Sequence, residues 1–324
     1  MRFWSLIIAV ATTVAKSKSN NTISFGTAGG VTANSVYVAL SAGFTRIDTA
    51  MEQTQWYNSE QVSTGLHRFC LEQHSQKLNQ SFASCLSSIK VTTKVPPWLF
   101  DGDPNTIRSS VDQELSILYP SSNPSSSPSK IDTILLHAPH CWRGWHQFCD
   151  SPLYSNVTHD WRSAWRGLEK AVHVDGSVDH IGVSNFDLPL LTELVDWVQT
   201  RQKNNDKFAT FPSTLQNSFS PLDTSHLPIP LREFCAHHDI RVEGYSMLSP
   251  LSNLISANML SELIWEQLIH WSLQYAVACL KPCRTSRIAI YCHRLCITLS
   301  RAPAPWVMRR WTSVSAIRSI PYRL

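Results

Sequence analysis

Eight short apolar segments, alternating with stretches of helical period, predict a (β/α)8 barrel of the α/β class. Each segment stops at a polar residue, as a buried parallel strand does where it meets the mouth of a barrel. The alternation runs over about 260 residues, the length such a barrel needs. A chain of 324 residues, 43% hydrophobic and 16% charged, can bury the large core this requires. The competing architecture is an open, doubly wound sheet. It usually places a Gly-rich phosphate turn after the first strand, and Gly26-x-x-Gly29-Gly30 matches that fingerprint weakly.

The elements follow in order. Ile23 to Gly30 is a first strand ending in a Gly-rich turn, and Val31 to Ala42 carries a helical pattern. Phe44 to Asp48 is strand two, ending in an acid, and Ser59 to Glu72 is the next helix. Ile89 to Lys94 is strand three, tipped by a lysine, and Asp103-Pro104-Asn105 starts a helix reaching about Leu118. The Ser/Pro-rich insert from Tyr119 to Lys130 reads as a surface loop, because Ile131 to His137 resumes the strand rhythm at once. Asp160 to His173 is a helix with Trp161, Trp165, Leu168 and Val172 on one stripe, closed by Asp175-Gly176. His180 to Val183 is strand five, tipped by Ser184-Asn185, and Leu188 to Thr200 is a helix. Thr214 to Gln216 is strand six, Leu227 to His238 a helix that Pro230 opens, and Arg241 to Ser246 strand seven. Leu260 to Tyr275 completes the helices, and Ala276 to Leu280 is the eighth strand, tipped by Lys281.

The net charge of +4 is mild and the basic residues cluster only near the C-terminus, so no nucleic-acid footprint is expected. Residues 1–15 read as a signal peptide: Arg2 is the positive start, Trp4 to Val14 the apolar run, and Thr13-Val14-Ala15 the cleavage site. The run is too short to span a bilayer. Asn20, Asn79 and Asn156 begin glycosylation sequons. The expected location is the secretory pathway if the N-terminal segment is a signal peptide, and the cytoplasm otherwise. Nine cysteines do not settle the compartment, and a chain of this size has no small disulfide scaffold to staple.

In a barrel the C-terminal strand ends converge on one face, so residues far apart in sequence become neighbours there. Asp48, Lys94 and His137, at the tips of strands two, three and four, would share one mouth. An ammonium held by an acid primes a nearby phenol, and Tyr57 lies in the loop after Asp48. Tyr57 as general acid, Lys94 and Asp48 in support, and His137 orienting a carbonyl make a coherent reduction site. No side chain donates hydride, so a nicotinamide cofactor is implied. Trp98, Trp142 and Trp145, in the loops after strands three and four, are candidates to line an apolar pocket for the substrate.

Gly43-Phe44-Thr45-Arg46-Ile47-Asp48-Thr49-Ala50, Thr92-Thr93-Lys94, Leu135-Leu136-His137-Ala138-Pro139, Ile181-Gly182-Val183-Ser184-Asn185-Phe186, Gln216-Asn217 and Gly244-Tyr245-Ser246 occur in this order. In order and approximate spacing the set resembles the aldo-keto reductase superfamily, with the likeness running from about Ile23 to Arg287. The resemblance implies Asp48, Tyr57, Lys94 and His137 as the catalytic four. It implies that Ser184, Asn185 and Gln216 hold the cofactor carboxamide and that Tyr245, next to Ser246, stacks on the nicotinamide. Lys281 and Arg287 look like the pair gripping the adenosine phosphate, which favours NADPH. The implied substrate is a small aldehyde or ketone, and the implied assembly is a monomer.

Two features depart from the resemblance. The family's tyrosine stands five residues after the aspartate, where this chain has Gln53; Tyr57 comes nine after, so a short loop insertion must still bring it to Asp48. Residues 288–324 lack an amphipathic helix and read as an atypical tail, as a frameshift, retained intron or faulty gene model would produce. The alternative to an enzyme is a barrel that binds a nucleotide or partner with its chemistry lost. Cys279, Cys283, Cys292, Cys296 and His293 outline a zinc site, but the x3 spacings are looser than short knuckles and no metal is expected.

Overall fold

A computed structural model describes residues 23–51, 56–76, 81–120, 130–151, 158, 160–220 and 223–247. The expected signal segment, all three sequon asparagines and Gln53 lie outside these residues. So do the helix 260–275, the eighth strand, Lys281, Arg287, the candidate zinc residues and the tail.

Seven strands form one parallel sheet in sequence order: β1 (Phe25–Gly26), β2 (Arg46–Asp48), β3 (Lys90–Val95), β4 (Ile131–Leu136), β5 (Val178–Ser184), β6 (Thr214–Ser218) and β7 (Arg241–Tyr245). Helices cover the outside: α1 (Ala33–Ser41), α2 (Ser59–Gln76), α3 (Phe82–Ser88), α4 (Pro104–Leu118), α5 (Trp161–Lys170), α6 (Leu188–Lys203) and α7 (Ile229–His237). The sheet is curled into a barrel. β2 and β6 stand four strand spacings apart, about 19 Å if the sheet were flat, yet Gln216 Nε2 donates to Asp48 Oδ1 over 2.9 Å.

The strand pleat divides the residues. Val91, Val95, Ile134, Leu136, Ile181, Val183 and Leu215 are buried beneath the helices, while Lys94, Ser184 and Gln216 belong to the opposite alternation. Gly182 is required by this packing, since a Cβ there would lie 2.4 Å from the Thr214 carbonyl oxygen and 2.8 Å from Leu135 Cδ2.

The helix starts follow the sequence closely. Asp103 caps α4 through Asn105 N, with Pro104 as the first helical residue, and Asp187 caps α6 through Leu190 N. Trp161, Trp165 and Leu168 bury their stripe, and Trp165 Nε1 finds the Thr210 carbonyl at 3.2 Å. After α5 the chain widens into one π turn, Ala171–Asp175, and Gly176 ends it at φ +64°, the left-handed conformation that glycine adopts most cheaply.

Two features correct the expectation. The second helix runs four residues past Glu72, and α3 follows it, a short helix capped by Ser81 whose Cys85 is disulfide-bonded to Cys70 on α2. A second disulfide joins Cys141 to Cys149. Cys235, inside α7, is a buried free thiol whose pKa burial pushes up to about 12.

Candidate active site

The mouth is built around Lys94. Its ammonium donates to Asp48 Oδ1 at 2.9 Å, Asp48 Oδ2 at 3.0 Å and the Thr49 carbonyl at 2.8 Å. The Lys94 side chain is only 2% exposed, so its charge is viable there because the carboxylate and carbonyl replace water. Asp48 in turn accepts from Gln216 across the barrel. Gln216 Nε2 also reaches Glu243 Oε2 at 3.2 Å, a contact from β7 that the sequence did not announce.

Tyr57 is delivered by several local bonds. Gly29 N donates to the Trp56 carbonyl at 2.9 Å, tying this segment to the turn after β1, where Gly29 sits at φ +82°. Asn58 Oδ1 receives Gln61 N at 3.0 Å, opening α2, and Gln61 Oε1 receives Ala33 N at the start of α1. Ser59 Oγ donates to Glu114 Oε1 at 2.9 Å, and the same oxygen accepts from Thr93 Oγ1 at 2.9 Å. Glu114 thereby ties the segment carrying Tyr57 to the strand carrying Lys94. Burial raises its carboxyl to about 6, with the two hydroxyl hydrogen bonds opposing that rise.

These anchors overcome the longer loop. The Tyr57 ring centroid lies 5.4 Å from Lys94 Nζ and 5.9 Å from the His137 ring, which meets it edge to face. Asp48, Lys94, Tyr57 and His137 therefore share one small volume. A phenol, an ammonium and an imidazole grouped in this way can donate a proton to an oxygen and stabilise charge developing there.

Asn185 organises the adjoining side. It stands at φ +60° just past β5, with its N–H bonded to the Gln216 carbonyl at 3.1 Å. Its Nδ2 donates to the His137 carbonyl at 2.8 Å and to Ser184 Oγ at 3.2 Å, and its Oδ1 accepts from Tyr245 Oη at 2.7 Å. Ser184 Oγ donates to the Gln216 carbonyl at 2.7 Å. Burial raises the Tyr245 phenol, an effect that the Lys94 charge and the Asn185 hydrogen bond oppose. Ser246 follows at φ +58°. Ser184, Asn185, Gln216 and Tyr245 thus form one connected patch beside Asp48, Lys94, Tyr57 and His137.

Over the mouth lies an aromatic wall. Trp145 meets His137 edge to face at 5.3 Å and stacks on Trp142 at 4.7 Å. Trp98 stacks on His146 at 4.5 Å. Sequence reasoning named the three tryptophans but missed His146, Glu114 and Glu243, which carry no local pattern and enter only through the fold. Among the described residues, no group of three or more His, Cys, Asp or Glu side chains is placed to hold a metal, and no helix is long and apolar enough to cross a membrane.

Comparison with known proteins places the chain in a family. The aldo/keto reductase family model matches residues 31–253, more than half of the chain. A 9,11-endoperoxide prostaglandin H2 reductase of Trypanosoma cruzi is 25% identical over 258 residues, covering 77% of this chain and 71% of that protein. An NAD/NADP-dependent indole-3-acetaldehyde reductase of Schizosaccharomyces pombe is 29% identical over 219 residues, 67% of this chain and 58% of that one. An NADPH-dependent alpha-keto amide reductase of Saccharomyces cerevisiae is 33% identical over 88 residues, only 27% of this chain and 24% of that protein. The matched part thus spans from about a quarter to under three quarters of these curated relatives. Among solved structures, a Bombyx mori aldo-keto reductase in complex with NADP is 25% identical, with a TM-score of 0.49, covering 69% of this chain and 62% of the other. By the extent of the family match, the chain belongs to the aldo/keto reductase family.

Proposed function

We propose that the protein reduces the carbonyl group of an aldehyde or ketone to the alcohol, using NADPH. The observation that carries this reading is the position of Tyr57, whose ring lies 5.4 Å from the Lys94 ammonium and 5.9 Å from the His137 ring despite its late place in the sequence.

In this reading the Tyr57 hydroxyl gives its proton to the carbonyl oxygen. Lys94, anchored by Asp48, stabilises the negative charge left on the phenol oxygen, and His137 orients the carbonyl. Bound NADPH supplies the hydride. The donor set fits a nicotinamide: the Asn185 and Gln216 amide oxygens can accept from a carboxamide NH2, and the Tyr245 ring offers a flat, half-buried face. Lys281 and Arg287 would grip the adenosine phosphate. The aromatic wall suits a carbonyl compound with a flat apolar substituent.

Titrating the full chain with NADPH while following tryptophan emission, then screening aldehydes for NADPH consumption, tests this reading. Saturable binding with turnover of aromatic aldehydes is expected. Absence of cofactor binding in a folded chain would refute it.

We propose also that the chain matures in an oxidising compartment. The two disulfides support this, together with the apolar N-terminal segment and the sequons. Endoglycosidase treatment of the native protein should then lower its apparent mass, and an unchanged mass would count against glycosylation in that pathway.

A further inference from the structure

The aromatic wall stands largely on the loop after β4. Trp145 N donates to the Trp142 carbonyl at 3.2 Å and Cys149 N to the His146 carbonyl at 2.9 Å, while Gly144 N bonds the Asp150 carboxylate at 3.1 Å. These bonds fold the loop upon itself. Ring contacts join it to the barrel: Trp145 meets His137, and His146 meets Trp98 and, at 5.4 Å, Trp56. A covalent bond, Cys141 to Cys149, closes the base of the segment that bears Trp142, Trp145 and His146. Both of its cysteines are half-buried, whereas Cys70 and Cys85 are 0% and 1% exposed.

We propose that the Cys141–Cys149 disulfide is a clamp that fixes the aromatic wall at the mouth and so determines which carbonyl substituents the site admits. The inference rests on the carbonyl-reduction reading for its substrate side, and on the loop geometry alone for its mechanical side. Opening the clamp leaves the catalytic residues in place, because they are held by Asp48, Glu114 and Asn185 on other elements. It frees the ring stack to leave His137. A dithiol opens it by exchange. Its two thiols pass two electrons and two protons to the Cys141–Cys149 pair, which becomes two thiols, and the dithiol ends as a disulfide. Exposure makes this bond the first to be reduced, with Cys70–Cys85 still intact.

The test compares the full chain with its Cys141→Ser/Cys149→Ser variant and with wild-type protein treated with a low dithiol concentration. The treated wild type serves should the variant fold poorly. Trypsin cleavage after Arg143, an exposed residue of the loop, should become about tenfold faster or more when the clamp is open. KM for benzaldehyde should rise about fivefold relative to that for propanal, with NADPH affinity unchanged. An equal cleavage rate overturns the clamp, and faster cleavage with an unchanged KM ratio overturns its role in specificity. If neither form reduces any aldehyde although both bind NADPH, the carbonyl-reduction reading fails instead, and the cleavage rate alone decides the clamp.

Discussion

The Lys94 ammonium donates to both carboxylate oxygens of Asp48, at 2.9 and 3.0 Å, from a side chain only 2% exposed. The pair joins β3 to β2 at the barrel mouth and places a fixed positive charge beside Tyr57. Removing Lys94 leaves the half-buried Asp48 carboxylate without its counter-charge. Lys94→Met should therefore lower stability by about 3–5 kcal/mol and reduce kcat by about a hundredfold or more. Denaturant unfolding and steady-state kinetics measured on the same preparation check both effects. Full stability with lost activity would show that the pair serves catalysis alone.

Glu114 gives a pH signature. Its carboxyl is raised from 4.5 to about 6 in the folded chain, so the native state binds the proton more tightly than the unfolded state. Its contribution is fully present below pH 4.5 and is lost as pH rises through about 6, amounting to about 2 kcal/mol. The difference in stability between wild type and Glu114→Gln should therefore change across that window in the variant's favour. Parallel stability curves would contradict the assignment.

Gly182→Ala tests the barrel interior. The new Cβ would collide with the Thr214 backbone oxygen at 2.4 Å and with Leu135 Cδ2 at 2.8 Å. Backbone cannot yield cheaply, so a loss of about 1–3 kcal/mol is expected in thermal or denaturant unfolding. An unchanged midpoint would mean that β5 and β6 lie further apart than described.

The Cys70–Cys85 disulfide closes a loop of 15 residues between α2 and α3. Replacing both cysteines by alanine should cost about 3 kcal/mol, chiefly by freeing the unfolded chain. It should leave NADPH affinity unchanged, because neither residue approaches the mouth.

The barrel was legible because its signals are local. Trp161, Trp165 and Leu168 show helical spacing, Asp103-Pro104 shows a cap, and the strands end in polar tips. For the same reason the sequence alone places Asp48, Lys94 and His137 at one mouth. The π turn and α3 were not legible: five residues of wider helix keep the ordinary apolar pattern, and a seven-residue helix is shorter than the window in which periodicity shows. The disulfides were missed because pairing depends on which Cα atoms the fold brings together, and the spacings alone do not reveal that. Glu114 was hidden as an ordinary helix acid; only the packing of α4 on β3 buries it beside Ser59 and Thr93. Tyr57 needed the whole set of anchors around Trp56, Asn58 and Ser59, since counting residues from Asp48 would have selected Gln53.

The most direct measurement compares wild type with Tyr57→Phe for NADPH affinity and for NADPH-dependent reduction of an aromatic aldehyde. The account predicts an unchanged cofactor affinity and a fall in kcat of about a hundredfold or more, because only the proton donor has been removed. Equal turnover by the two proteins would contradict the central claim and move the general acid elsewhere.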